Sequence, residues 1–143
     1  MLTKPLKIST IDASNYLKGL MLLIRKDHKI TGTEIVLLKR IGKSLGFEPE
    51  FCEETINEIL NNRFIEDTPP VFEKKELAVK FIKDGLAVIF SDNIMHQVEE
   101  NWLIATAEKN DIDVSLYYEF KKNYSSKDEQ LSRLEVDDLT VGY

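Results

Sequence analysis

Two short acidic loops carry the residue types of this chain that could bind a ligand. The first loop starts at Asp27 and reaches Glu34 seven positions later, and the second starts at Asp92 and reaches Glu99 at the same interval. Hard cations such as Ca²⁺ and Mg²⁺ prefer carboxylate oxygens as ligands. The spacing therefore predicts a site for a divalent cation (Ca²⁺, Mg²⁺ or Mn²⁺) that is built from these four acids.

The number of ligands depends on where the two loops lie. One Asp/Glu pair supplies too few oxygens unless carbonyl groups and waters complete the shell. If both loops lie at one end of the fold, the four acids could share an ion or an ion pair. If they lie at opposite ends, each loop makes at best a water-rich site. His28 and His96 flank the loops as additional candidate ligands, although a histidine in a loop is more commonly a solvated side chain.

A purely structural interpretation of the same acids stays open. The tetrapeptide Thr31–Glu34 fits the capping-box pattern, in which a Thr hydroxyl and a Glu carboxylate satisfy backbone N–H groups reciprocally. Asp27 and Asp92 could accept N–H bonds from their own turns. In that case the repeated acids only fix the angle of a helical hairpin.

The loops lie within a duplicated helix–loop–helix segment. Residues 16–47 and 81–112 align without a gap, 65 positions apart. The alignment pairs residues of similar polarity, among them Tyr16 with Phe81, Leu17 with Ile82, Ile24 with Ile89, Leu38 with Leu103, and Phe47 with Ile112. Because the matched positions are mainly apolar, the two copies are predicted to fold alike.

Hydrophobic periodicity predicts helices throughout the chain and no strand. The predicted fold is all-α: a single helical bundle of about six to seven helices, built from two pseudo-symmetric three-helix repeats. We expect a first repeat over about 12–62, a proline-stiffened linker over 63–72 and a second repeat over about 73–124. The polar, acidic tail 125–143 is expected to pack through Leu131 and Leu134, or to form one more short helix.

The composition predicts one compact cytoplasmic domain. The 143 residues are 43% hydrophobic, enough for a substantial core. The single cysteine, Cys52, excludes an internal disulfide and fits a reducing compartment, and we expect it to be a small buried side chain. The first residues resemble no secretory signal, and the apolar stretch 20–24 is too short for a transmembrane segment.

The charge distribution argues against a nucleic-acid partner. The net charge is −6, and residues 67–143 hold nine Lys/Arg against sixteen Asp/Glu, whereas residues 1–66 are nearly balanced. Phosphate binding needs accumulated positive charge. A basic cluster (Lys39, Arg40 and Lys43) is interpreted as a solvated face or as a surface that meets an acidic partner protein.

Residues 39–50 have the cadence of a helix-turn-helix, but their candidate recognition helix would repel phosphates through its glutamates Glu50, Glu53, Glu54 and Glu58. Catalysis is not expected either, because the sequence holds no phosphate-binding glycine loop, nucleophile elbow or zinc-ligand spacing. A metal-dependent hydrolase, in which the four loop acids would hold a metal-activated water, is the less favoured alternative.

The segment Ile24-Arg25-Lys26-Asp27-His28-Lys29-Ile30, followed by Glu34, resembles the TerB-like domain family, which is named for bacterial tellurite-resistance proteins. That family's signature is an Asp followed by Gly, an apolar residue three positions beyond the Asp and a Glu at the seventh, and it is typically duplicated. Here His28 and Asn93 replace the glycines. The resemblance covers about residues 12–124.

The resemblance implies an all-helical cytoplasmic domain of stress-response systems that binds metal ions or partner proteins. It implies Asp27, Glu34, Asp92 and Glu99 as the acidic positions of the site. The leading hypothesis is therefore a non-catalytic interaction or sensing module. The alternative is a structural, protein-interacting helical domain whose acids only cap loops and helices.

Overall fold

A computed structural model of the chain describes residues 5–26, 31–62, 64–92, 96–124 and 134–142. Within these ranges it contains six α-helices and two short strands. They are β1 (Leu6–Ser9), α1 (Thr10–Arg25), α2 (Gly32–Ser44), α3 (Pro49–Asn61), α4 (Lys75–Ile89), α5 (Gln97–Lys109), α6 (Val114–Tyr124) and β2 (Leu139–Gly142). Short 3-10 helices span Phe90–Asp92 and Glu135–Asp138. The predicted all-α bundle of about six helices is confirmed.

The helices of the second half start at the same interval from their counterparts in the first half. Each interval is 65 positions: Thr10 to Lys75, Gly32 to Gln97, and Pro49 to Val114. Backbone conformation repeats as well. The chain leaves α2 through Gly46 (φ 86°) and α5 through Asp111 (φ 58°), which are equivalent positions in the left-handed region. Glycine adopts this conformation freely, whereas Asp111 pays a steric cost to adopt it.

The core forms where α1 crosses α4. Each of these two helices has ten buried residues, so apolar contacts surround both of them. Tyr16 and Phe81, equivalent residues of the two copies, pack edge to face with ring centroids 5.4 Å apart. Gly19 allows this approach, because a Cβ atom there would come within 2.8 Å of the Phe81 ring. All five residues of the apolar stretch 20–24 are buried, so this stretch is a core segment.

Three local expectations differ from the structure. Helix α1 starts at Thr10, two residues before the expected start of the first repeat, because the Ser9 hydroxyl caps the helix and accepts the N–H of Asp12 at 3.1 Å. The helical spacing of apolar residues predicts that Phe51 and Leu116 face inward, but in the structure they are 40% and 36% exposed. Phe51 instead packs at the surface against Phe47, with ring centroids 5.2 Å apart.

The predicted linker is part of the core. Phe72 is 6% exposed and packs against the rings of Tyr16 and Phe81. Asn110, after α5, accepts the N–H of Phe72 at 2.9 Å and donates to the carbonyl of Pro70 at 2.8 Å. These bonds pair backbone groups that would otherwise be buried without a partner.

The two strands join opposite ends of the described chain. β1 and β2 pair in parallel, with Leu6 opposite Leu139 and Ser9 opposite Gly142. The prediction of no strand was therefore wrong for these two segments. Each strand has four residues, too few for an alternating pattern to be distinctive. The expected packing of the tail through Leu134 is confirmed, since this side chain is fully buried, while Leu131 lies outside the described residues.

Candidate functional site

The two glutamates of the acidic loops occupy equivalent buried positions. Glu34 is the third residue of α2 and Glu99 the third residue of α5, and each is 1% exposed. Asp27 and His28 lie outside the described residues, as does the side chain of Asp92. The structure thus describes one acid of each predicted loop site, and both of these acids point away from solvent.

The predicted capping box is present in the first copy. The N–H of Thr31 donates to Oε1 of Glu34 at 2.9 Å, and the N–H of Glu34 donates to the Thr31 hydroxyl at 3.1 Å. The Thr31 hydroxyl also lies 3.1 Å from the same Oε1. Glu34 therefore has a local structural role at the start of α2, as the structural interpretation predicted.

The second copy lacks that box. The N-cap of α5 is His96, which is half-buried and whose side chain makes no capping hydrogen bond to the helix. Glu34 and Glu99 consequently share their position and their burial, whereas only the N-cap residue before Glu34 bonds to its helix through its side chain. Burying a carboxylate is costly unless hydrogen bonds, a cation or a metal compensate for the lost water. The burial of Glu99 therefore has a reason other than the capping box.

The start of the second loop lies close to the first copy. Helix α2 packs against the 3-10 helix Phe90–Asp92, so the second loop begins beside a helix of the first copy. Within the described ranges, no three His, Cys, Asp or Glu side chains cluster closely enough to hold a metal ion. This absence does not extend to three side chains that lie outside the described residues, those of Asp27, His28 and Asp92.

The basic cluster of α2 is partly used within the chain. Arg40 pairs with Asp137 near the C-terminus at 2.9 Å, and Lys39 lies 3.7 Å from Glu53 of α3. Lys43 is exposed and lines, with Lys39, a surface pocket of about 260 Å³. An acidic partner for this surface is therefore provided in part by the protein's own C-terminal residues.

The same pocket reaches Cys52. The thiol is 1% exposed, as predicted for a small buried side chain. Burial raises the pKa of Cys52, against the smaller opposing effect of Lys39. Because the thiolate is the reactive form, Cys52 is a poor nucleophile in this environment.

A buried carboxyl group that the sequence analysis missed lies in the middle of α4. Asp84 is fully buried. It accepts hydrogen bonds from the Tyr16 hydroxyl at 2.7 Å, from the N–H of Glu135 at 2.6 Å and from the N–H of Val136 at 2.9 Å. Burial raises the pKa of Asp84 to about 7, although the three hydrogen bonds oppose that shift. A signal was available, because Asp84 falls on the apolar face of α4 between Phe81 and Val88.

The residues around Asp84 hold the C-terminal segment, by which we mean Leu134–Gly142. Lys80 of α4 lies 3.5 Å from the Glu135 carboxylate. The Ser44 hydroxyl of α2 lies 3.1 Å from the Asp137 carboxylate, which Arg40 also contacts. Helix α2 of the first repeat and helix α4 of the second thus each place a basic side chain beside an acid of this nine-residue segment.

No protein-family model matches the chain, and no curated protein or solved structure matches it either. The TerB-like resemblance accordingly depends on the residues themselves. Among the residues that the structure describes, no helix has the length and apolar character needed to cross a membrane.

Proposed function

We propose that the protein is a non-catalytic, TerB-like cytoplasmic module that binds a divalent cation through its duplicated loops and acts by protein–protein interaction in a stress response. The observation that carries the proposal is the equivalent burial of Glu34 and Glu99, each 1% exposed in the first turn of its helix. A capping box uses the glutamate only to accept one N–H, so it does not by itself compensate for enclosing the whole carboxylate, whereas a bound cation would.

The repeated helix starts and left-handed residues support the family part of the proposal. A loop duplicated together with its flanking helices keeps its acids at equivalent places, as the 65-position interval requires. Ca²⁺, Mg²⁺ and Mn²⁺ are the cations whose oxygen preference fits Asp27, Glu34, Asp92 and Glu99. His28 and His96 would add nitrogen ligands, which suit Mn²⁺ better than Ca²⁺.

The exposed face of α3 disfavours the helix-turn-helix alternative. Its glutamates at 50, 53, 54 and 58 are all exposed, and they would meet the phosphates of a duplex. The raised pKa of Cys52 likewise disfavours nucleophilic catalysis by the single thiol. The hydrolase alternative would need a metal-bound water held by the loop acids, so it depends on the same cation test.

Cation binding should raise the melting temperature of the wild-type protein. A ligand present at about 100 times its Kd stabilises the folded form by about 2.7 kcal/mol. We expect Glu99→Gln to reduce this response and the double variant Asp27→Asn/Asp92→Asn to abolish it. The measurement is thermal unfolding with Ca²⁺, Mg²⁺ or Mn²⁺ and with a chelator, supported by calorimetric titration.

Glu34→Gln separates a cap from a ligand. Glutamine retains an oxygen that can accept the Thr31 N–H, so in chelator the variant should lose no more than about 0.5–1 kcal/mol of stability. Its cation response should fall if Glu34 is a ligand. Glu108→Gln, an exposed acid on α5, is the matched control and should respond like the wild type. Wild-type melting curves that none of the three cations shifts would establish the capping interpretation instead.

A further inference from the structure

The C-terminal segment contacts the bundle through its main chain as well as through its side chains. Two successive N–H groups, those of Glu135 and Val136, donate to the single carboxyl group of Asp84. Further along, β2 pairs in parallel with β1 over four residues. Addition of a strand to a sheet edge is a general mode of peptide binding.

Side chains of the segment alternate between apolar sites and basic partners. Leu134 and Val136 are fully buried and Leu139 is 8% exposed. The acids between them form salt bridges with basic residues of the bundle. Glu135 pairs with Lys80 of α4, and Asp137 pairs with Arg40 of α2. A ligand for this surface would therefore have the same pattern as the segment. Counted from Leu134, apolar residues stand at the first, third and sixth positions, and acids at the second and fourth.

We propose that the surface formed by β1, α2 and α4 is a peptide-binding groove, which the C-terminal segment occupies in cis and which takes in trans an acidic peptide of the same pattern. The groove is defined by β1 together with Asp84, Lys80, Arg40 and Ser44. This goes beyond the proposed cation site, because none of the four loop acids belongs to the groove.

Charge complementarity supports this occupant. The chain has a net charge of −6, yet the groove directs Lys80 and Arg40 at the acids of its occupant. A basic peptide would instead place like charges beside both cations, which is unfavourable. A two-stranded sheet of four-residue strands is only marginally stable by itself, so binding of the occupant also needs the apolar sites that hold Leu134 and Val136.

Emptying the groove in the full-length chain tests the proposal. Val136→Asp places a charge in an apolar site and should displace the segment, while every groove residue stays unchanged. The probe is a fluorescent synthetic peptide with the sequence of residues 134–142, measured by anisotropy in the presence of a chelator. We expect it to bind the Val136→Asp chain at least ten times more tightly than the wild type, in which the segment competes in cis.

Two controls make the readout specific. Thr140→Asp adds the same charge at an exposed position of the segment and should behave like the wild type. A peptide carrying the equivalent of Val136→Asp should not bind. Because the assay contains chelator, a negative result here leaves the cation proposal unaffected, and a failed cation test leaves this one unaffected.

A folded Val136→Asp chain that does not bind the peptide would overturn the proposal, as would a wild type that binds it equally well. If Val136→Asp does not fold, the pair Glu135→Lys/Asp137→Lys replaces it, since this pair reverses both salt bridges without burying a charge. Should that chain also lack helical circular dichroism, the segment is an inseparable part of the core and the groove proposal is wrong.

Discussion

Replacing Asp84 with Ala should lower the free energy of unfolding by about 3 kcal/mol at pH 6. The substitution removes the shared acceptor of the Tyr16 hydroxyl and of two backbone N–H groups, all of which point into the interior. Each buried donor that loses its acceptor costs about 1–3 kcal/mol, and release of the segment to water limits the sum. Chemical denaturation followed by circular dichroism measures the change.

An exposed residue of the same helix is the control for Asp84→Ala. Glu76→Ala, in the first turn of α4, should change stability by less than about 0.5 kcal/mol. Hydrogen exchange adds a local readout, since the amides of Glu135 and Val136 should lose protection in Asp84→Ala and keep it in Glu76→Ala. Equal losses in the two variants would contradict the role assigned to Asp84.

The raised pKa of Asp84 also predicts the direction of a pH dependence. The folded protein holds the Asp84 proton up to about pH 7, whereas the unfolded chain releases it near 3.8. Between these values the folded state binds more protons, so this contribution is present at low pH and is lost as the pH rises through 7. The slope for one group cannot exceed about 1.4 kcal/mol per pH unit.

Asp84→Asn isolates that contribution because asparagine does not titrate. The stability of the wild type relative to Asp84→Asn should fall as the pH increases from 4 to 7 and then level off. Taking the difference matters, since other acids act with the opposite sign. Burial opposes the charge of Asp67, but hydrogen bonds from Arg25 and Lys26 hold its pKa below the usual value. A difference that does not vary with pH would show that Asp84 titrates normally.

Arg25→Lys should cost about 3 kcal/mol of stability, although it conserves the charge. The Arg25 guanidinium donates to the carbonyls of Ile59 at 2.8 Å, Asn62 at 3.0 Å and Ile65 at 2.7 Å, and it also pairs with Asp67. It therefore closes the end of α3 and fixes the start of the linker. A lysine ammonium cannot span four acceptors that the planar guanidinium reaches together.

Lys26 provides the comparison within the same site. It pairs with Asp67 at 3.1 Å, but both side chains are more exposed than that of Arg25. Lys26→Met should therefore change stability by less than about 1 kcal/mol. Urea unfolding of Arg25→Lys and Lys26→Met measures the two losses of stability. Similar losses would show that Arg25 acts only as a counter-charge for Asp67.

Local sequence patterns were sufficient to predict the helices and the capping role of Glu34, one of the two buried loop glutamates. Apolar spacing predicts a helix over about 97–109, which are the bounds of α5, and the Thr31–Glu34 spacing predicts the capping box that is present. Both depend on residues within one or two turns of each other. Phe51 was misassigned because amphipathic spacing does not show where a helix face ends against its neighbour.

The contacts around Asp84 could not be predicted in the same way. Asp84 meets Tyr16 across 68 positions and Val136 across 52, and no local pattern encodes such pairs. The two strands are equally remote, since β1 and β2 stand at opposite ends of the described chain. The linker shows the same limit, because its prolines suggested a spacer while Phe72 packs into the core.

The amino-acid sequence by itself indicated about six to seven helices, a duplication and the positions of the repeated acids, because these depend on spacing along one helix or between two copies. Only the tertiary structure decided that Glu34 and Glu99 are buried, that Arg40 forms a salt bridge with Asp137, and that the buried carboxyl group of Asp84 binds the C-terminal segment. Those outcomes depend on which distant surfaces exclude water together, and burial determines the free energy of a charge.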